Sequence, residues 1–229
     1  MDLDLAQLVV KGANSQSGLS WLQWYNAHKV YHPGYDLNIG NGNQDKGKII
    51  TTPCDGEVEY ISELKTNNGF GLHLVIYHPK LGAWTHYAHC DSIIIQKGKV
   101  KAGDPIAIIG NTGTTWAHCH FEVWTRGLYN IQLSRKWPKK PYEFYPVNWP
   151  KWQVAQYYID PAVFLNDCYK LITPYMNPLD SQVSSWARDG WDWCISENII
   201  SSDALPNKPI TKEEMATMLY RFYLRINRI

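Results

Sequence analysis

Between residue 31 and about residue 125 the chain is cut into short apolar runs, each closed by turn residues. That rhythm points to an antiparallel β domain. Gly56-Glu57-Val58-Glu59-Tyr60-Ile61 alternates apolar and polar side chains. Leu72 to Tyr77 is a β-branched and aromatic run, and Ala83 to His89 is a third. Pro105 to Ile109 is a short apolar run, and His118 to Thr125 closes the series. Asn67-Asn68-Gly69, Lys80-Leu81-Gly82, Lys97-Gly98, Ala102-Gly103-Asp104 and Asn111-Thr112-Gly113 punctuate the runs. Strand-length runs at near-even spacing, bounded by Gly and Asn, read as consecutive antiparallel strands.

The flanks differ in character. Residues 1–30 read as an entry segment, with a polar loop over 14–20 and Trp21, Leu22, Trp24 and Tyr25 docking on the main domain. Residues 134–153 are rich in Pro, Trp and Lys and read as a long loop, since proline cannot serve a central strand. Its aromatics either rim a binding groove or pack on themselves. Residues 167–180, with Pro174 and Pro178, read as a linker. Beyond it, Ser184 and Ser185 precede a helical stretch, and Thr211-Lys212-Glu213-Glu214 forms a capping box. Met215, Met218, Leu219 and Phe222 follow at helical spacing. The expected architecture is mainly β, with a small α-helical C-terminal domain over 181–229 and the β domain over 31–166.

A formal net charge of +1 gives no field that would draw the chain to nucleic acid or an anionic membrane surface. Five cysteines at irregular spacing, with no C-x-x-C, are not a disulfide framework. They read as small buried apolar residues of a reducing compartment. Met1-Asp2-Leu3-Asp4-Leu5 carries no basic region leading into an apolar run, and no segment has the length to span a membrane. The expectation is a protein without a signal peptide or membrane partner, made in a cytoplasm and reaching any external substrate by another exit.

The chemistry is concentrated in the histidines. His32 and Asp36 sit in one segment, His118 and His120 in another. Two imidazoles and one carboxylate suit a catalytic zinc with an open position, and a further imidazole is then available as a base. On a strand, residues two apart share a face, so His118, His120 and Glu122 point one way. Cys119, Phe121 and Val123 point the other way, into the core, which makes Cys119 a poor ligand. Pro33 and Gly34 between His32 and Asp36 argue for a bend or irregular strand rather than a helix. His28, His73, His78 and His86 read as bystanders.

Taken in order, these motifs resemble the lysostaphin-type zinc endopeptidases, metallopeptidases that cut peptidoglycan peptides. The carrying residues are His32-Pro33-Gly34-Tyr35-Asp36-Leu37, Asp55-Gly56-Glu57-Val58, Tyr87-Ala88-His89, the run Gly98 to Gly113, His118-Cys119-His120-Phe121-Glu122-Val123 and Asp160-Pro161 with its apolar tail. The resemblance implies an antiparallel β peptidase domain, Zn²⁺ held by His32, Asp36 and His120, and His89 and His118 as the catalytic pair. One of that pair would take a proton from water and the other would hydrogen-bond the oxyanion; which does which stays open. Tyr25 and Tyr31 are stand-ins for a tyrosine that assists the oxyanion in the family. The implied partner is peptidoglycan.

Residues from about 178 to 224 resemble one S-layer-homology repeat, carried by Trp186-Ala187, Trp191, Asn198-Ile199-Ile200 and Lys208 to Ala216. That resemblance implies binding to a secondary cell-wall polymer, or a structural cap. A wall hydrolase with such an appendage and no signal peptide resembles a phage lysin, freed by lysis or carried among virion components.

Overall fold

The structure is a computed structural model that describes residues 3–13, 18–62, 69–134 and 145–172, together with Cys194, Met218 and Leu219. The elements are α1 (Leu3–Ala6), β1 (Trp24–Tyr25), β2 (Val30–Tyr31), β3 (Gly34–Leu37), β4 (Ile49–Thr51), β5 (Gly56–Ile61), β6 (Leu72–His78), β7 (Ala83–Ile93), β8 (Gly98–Val100), β9 (Pro105–Ile109), β10 (Cys119–Trp124), α2 (Arg126–Ser134), α3 (Lys151–Tyr157), β11 (Tyr158–Ile159) and α4 (Pro161–Ile172). The chain divides into two units, residues 1–172 and 173–229, and these elements all belong to the first.

The expected antiparallel β domain forms. Nine of the described strands make one sheet with the path β11-β10-β7-β6-β5-β8; β3 pairs with β10, and β9 joins β7 to β4. Every pairing in it is antiparallel. β7 is long enough to serve two partners in turn: Trp84 to Ala88 face β10, and Cys90 to Ile93 face β9.

The central strands are buried on both faces. Leu74 and Ile76 enter a large core with Leu37, Tyr87, Ile109, Phe121 and Val123. Val75, between them, enters a second cluster with Trp84, Trp124, Leu128, Val154 and Tyr158. Side chains alternate across a strand, so a strand covered on both sides loses its polar positions. That is why Leu74 to Tyr77 reads as an unbroken apolar run.

Three boundaries differ from expectation. The N-terminal segment does more than dock: Ala6, Val9 and Val10 are fully buried in the large core, and Thr51 N–H donates to the Val9 carbonyl at 2.8 Å. Within the loop expected over 134–153, residues 135–144 lie outside the described residues, but helix α3 begins at Lys151 behind an extended Pro150. Residues 167–172, expected to open a linker, are helical, and the rest of the expected linker lies outside the described residues. Asp160 Oδ1 accepts the Ala162 N–H at 2.9 Å and Pro161 opens α4, a favoured helix start. The buried stripe of Phe164, Leu165 and Cys168 then carries the helix on to Ile172. The helical segment expected over 181–229 lies outside the described residues, apart from Cys194, Met218 and Leu219.

Candidate metal centre

β3 lies antiparallel on β10 so that Asp36 is the cross-strand partner of His120. The close approach depends on Gly34, which faces Glu122. A Cβ there would sit 2.2 Å from the Phe121 carbonyl oxygen, so only glycine lets the strands meet. His32 precedes this contact. Its N–H donates to the Gln23 carbonyl at 2.8 Å, and its own carbonyl accepts the Leu22 N–H at 2.9 Å. The segment is therefore a bend feeding a short strand, as its Pro-Gly sequence predicts.

The structure brings the expected side chains together. His32 Nε2 lies 3.1 Å from His120 Nδ1. Asp36 Oδ1 lies 2.9 Å from His120 Nδ1 and 3.2 Å from His32 Nε2. The far nitrogens are already committed: His32 Nδ1–H donates to the Gly34 carbonyl at 2.8 Å, and His120 Nε2–H to Glu122 Oε1 at 2.8 Å. Three acceptor atoms thus face one another with a proton or a cation needed between them. Tetrahedral zinc with nitrogen or oxygen ligands near 2.05 Å separates its donors by about 3.3 Å, close to the sides of this triangle. The donor set fits zinc without rearrangement.

The charges agree with the geometry. Burial would raise the Asp36 carboxyl, but the His32 and His118 rings and hydrogen bonds from His120 and His32 hold it well below the usual carboxylate range. His120 opposes its own burial: bonded to Asp36 and Glu122, its imidazolium persists to about 10. Without metal, a proton supplies the positive charge the site is built around.

His118 lies just before β10 and His89 within β7, and both join the cluster. His118 Nε2 is 3.5 Å from Asp36 Oδ1, and the His89 and His118 rings are 4.7 Å apart. Each is oriented from behind: His118 Nδ1–H donates to the Trp116 carbonyl at 2.9 Å, His89 Nδ1–H to the Thr112 carbonyl at 2.8 Å. Each therefore keeps an Nε2 lone pair. Burial holds both rings below the ordinary histidine range, so they are neutral proton acceptors. His89 adopts φ +63°, a left-handed conformation uncommon for a residue with a side chain. Opposite it, three residue steps of β7 from Tyr87 to Cys90 match two of β6 from Leu72 to Leu74. This bulge turns the strand and re-aims His89.

Sequence reasoning missed the layer behind the ligands. His86, read as a bystander, pairs across the strands with Glu122, its Nδ1 3.1 Å from Glu122 Oε2. Trp124 Nε1–H donates to the same oxygen at 2.7 Å. Glu122 is fully buried, and its bonds to His120 and His86 overcome burial to keep it ionised. It fixes the His120 tautomer so that Nδ1 faces the donor triangle. Such partners of a ligating histidine are worth about 10–100-fold in metal affinity. Glu122→Gln is therefore expected to weaken zinc binding by about tenfold or more, measured by competition with a chromogenic chelator. Unchanged affinity would remove Glu122 from this role. The signal was available in H-x-H-F-E, where Glu122 shares the face of His120.

Tyr145 was also missed. Its ring lies 6.5 Å from that of His120 and 5.6 Å from Phe70. Burial, then the charges of Glu122 and Asp36, keep its phenol protonated well beyond the usual range. It falls in the 134–153 segment, whose aromatics were expected either to rim a binding groove or to pack on themselves. Of the two stand-ins, Tyr31 packs edge-on against Trp24, and Tyr25 packs at a tilt against His28.

The profile of peptidase family M23 matches residues 30–131. The chain is 32% identical over 114 residues to the murein hydrolase activator NlpD of Escherichia coli K12, covering 48% of this chain and 29% of that protein. It is 31% identical over 83 residues to lipoprotein NlpD of Yersinia enterocolitica, covering 36% of this chain and 82% of that protein. Among solved structures, a zinc containing peptidase from Vibrio cholerae is 32% identical and covers 50% of this chain and 34% of that one, with a TM-score of 0.41. The chain spans 21% to 29% of the length of the murein hydrolase activators it matches. These relatives correct the expected location of a protein made in a host cytoplasm and freed by lysis or carried on a virion. They include a named lipoprotein of Yersinia enterocolitica and an outer membrane antigenic lipoprotein of Histophilus somni. Among the described residues, no helix is long and apolar enough to cross a membrane. Through the profile match over residues 30–131 and a relative that it covers over 82% of its length, the chain belongs to peptidase family M23.

Proposed function

We propose that this chain is a zinc-dependent endopeptidase that hydrolyses peptide bonds in the stem peptides or cross-bridges of bacterial peptidoglycan. The observation that carries the reading is the triangle of bare donor atoms on His32, Asp36 and His120, with the neutral rings of His118 and His89 beside it. When bound there, zinc supplies Lewis acidity that polarises a carbonyl oxygen and acidifies water. His118 Nε2, 3.5 Å from Asp36 Oδ1, takes the proton of the attacking water and later returns it to the leaving amine. His89 packs edge-on against it and completes the proton-accepting pair.

Tyr145 supplies what two neutral imidazoles lack, a standing hydrogen-bond donor for the developing oxyanion. Tyr145→Phe is expected to lower kcat about 10²-fold or more while zinc stays bound, the usual cost of losing one such donor. Equal kcat in the two proteins would return the role to a histidine.

The substrate class is carried over from the relatives, whose names refer to murein hydrolysis. The test is clearing of purified sacculi by protein that has been stripped of metal and then reloaded with zinc. Clearing by the reloaded protein alone supports the reading. A second reading follows from the same name: a non-catalytic activator of other murein hydrolases. An activator has no need of a complete donor set with a proton-accepting pair beside it. Stimulation of a second hydrolase by chelated protein would favour that reading.

Residues 181–229 are proposed to hold a secondary cell-wall polymer, on their resemblance to one S-layer-homology repeat. Truncation after Ile172, where the first unit ends, is expected to reduce co-sedimentation with whole walls and to spare hydrolysis of a soluble peptide. Undiminished sedimentation would leave the segment without a wall-binding role.

A further inference from the structure

A second reactive cluster lies at Cys54, in the connection between β4 and β5. Cys54 Sγ is 2.8 Å from Cys168 Sγ on α4 and 3.2 Å from His78 Nδ1 at the end of β6. The hydrogen bonds run one way. His78 Nδ1 faces the Asp55 carbonyl at 3.0 Å and therefore carries the proton, while His78 Nε2 faces the Thr85 hydroxyl at 2.8 Å. The Cys168 thiol donates to Cys54. Cys54 is left as the acceptor of two donors, which is the environment of a thiolate. The hydrogen bond from Cys168, with that of His78, outweighs burial and draws the Cys54 thiol down to about 6. Cys90 and Cys119 are different: burial dominates both, raising the Cys119 thiol and pushing Cys90 up to about 12.

Access is also unequal. Cys54 lines a cavity of about 260 Å³, with His78, Lys80, Leu171 and Ile172 among its walls. Cys168 is fully buried and is not among the residues that line it. Cys54, though only 3% exposed, thus borders the cavity, and Cys168 does not. A disulfide bond is about 2.05 Å long, so the two sulfurs need close only about 0.8 Å to bond.

We infer that Cys54 and Cys168 form a redox site that reacts with a small-molecule disulfide entering the cavity and closes to an intramolecular bridge. The Cys54 thiolate attacks one sulfur of the reagent RSSR, forming Cys54–S–S–R and releasing RS⁻. Cys168 then loses its thiol proton and attacks Cys54 Sγ, expelling the second R group, which leaves as RSH with that proton. Two protein sulfurs are oxidised by two electrons, and one external disulfide is reduced to two thiol-level products. The bridge ties α4 to the strands beneath it across more than a hundred residues of chain, which constrains the unfolded state.

The probe is oxidised glutathione in excess, equilibrated with the full chain that was purified reduced. The thiols are then trapped by alkylation in denaturant and mapped by peptide mass spectrometry. The expected result is a crosslinked pair of peptides carrying Cys54 and Cys168, with Cys90 and Cys119 alkylated. Tm should rise by roughly 5–10 °C and fall back with dithiothreitol. Cys168→Ser, which lacks the resolving sulfur, should stop at one glutathione on Cys54. Alkylation of both Cys54 and Cys168 in the wild-type chain, or pairing of either with another cysteine, would overturn the proposal.

Discussion

His120→Ala is expected to leave the protein without zinc and without detectable peptidoglycan hydrolysis. His120 does more than contribute one of three donors. It stands between Asp36 Oδ1 at 2.9 Å and Glu122 Oε1 at 2.8 Å, and with His32 and His118 on one side and His86 on the other it helps both carboxylates to stay ionised while buried. Its removal opens the donor triangle and leaves Glu122 with only His86 and Trp124. Breaking a buried charged pair typically costs about 3–5 kcal/mol, so the metal-free variant should also be less stable. Metal analysis and thermal unfolding together read both effects. His32→Ala separates them: His32 has no bond to Glu122, so zinc should be lost with a smaller stability change. Full zinc occupancy in either variant would move the metal elsewhere.

His118→Ala is the complementary case. Its Nε2 faces the same carboxylate oxygen from 3.5 Å, but its ring sits at the edge of the triangle and is more exposed than that of His120. Zinc should remain at about one per chain, and hydrolysis should fall by roughly 10²–10⁴-fold, the usual contribution of a positioned proton-transfer group. The pair of variants divides ligand from base by a measurement other than rate alone. A fully active His118→Ala protein would refute the assignment of the base and leave His89 in its place.

Much of this was legible in the sequence, for definite reasons. β5, β6, β7, β9 and β10 each bury enough side chains to mark them as strands. β3, β4, β8 and β11 run only two to four residues, too short to show a period, and they are held by their neighbours' pairing. Asp36 and His120 were legible as chemistry, but their adjacency is a matter of register between β3 and β10, which spacing does not encode. His89 reaches the site through a bulge and a left-handed backbone, and no propensity of Tyr87-Ala88-His89 announces that. Glu122 and His86 were illegible as a pair because they meet only across β10 and β7. Tyr145 comes from a proline-rich stretch where periodicity says nothing. Cys54 and Cys168 lie too far apart in the chain for spacing to join them; the fold of α4 onto the sheet does so.

The most direct test of the central claim is a digest of purified peptidoglycan by zinc-loaded protein, analysed by mass spectrometry beside a chelated control and the His118→Ala protein. New amine termini in the stem peptides or cross-bridges, present with zinc and absent from both controls, are predicted and would name the bond. Intact peptidoglycan with one zinc bound per chain at His32, Asp36 and His120 would contradict the account.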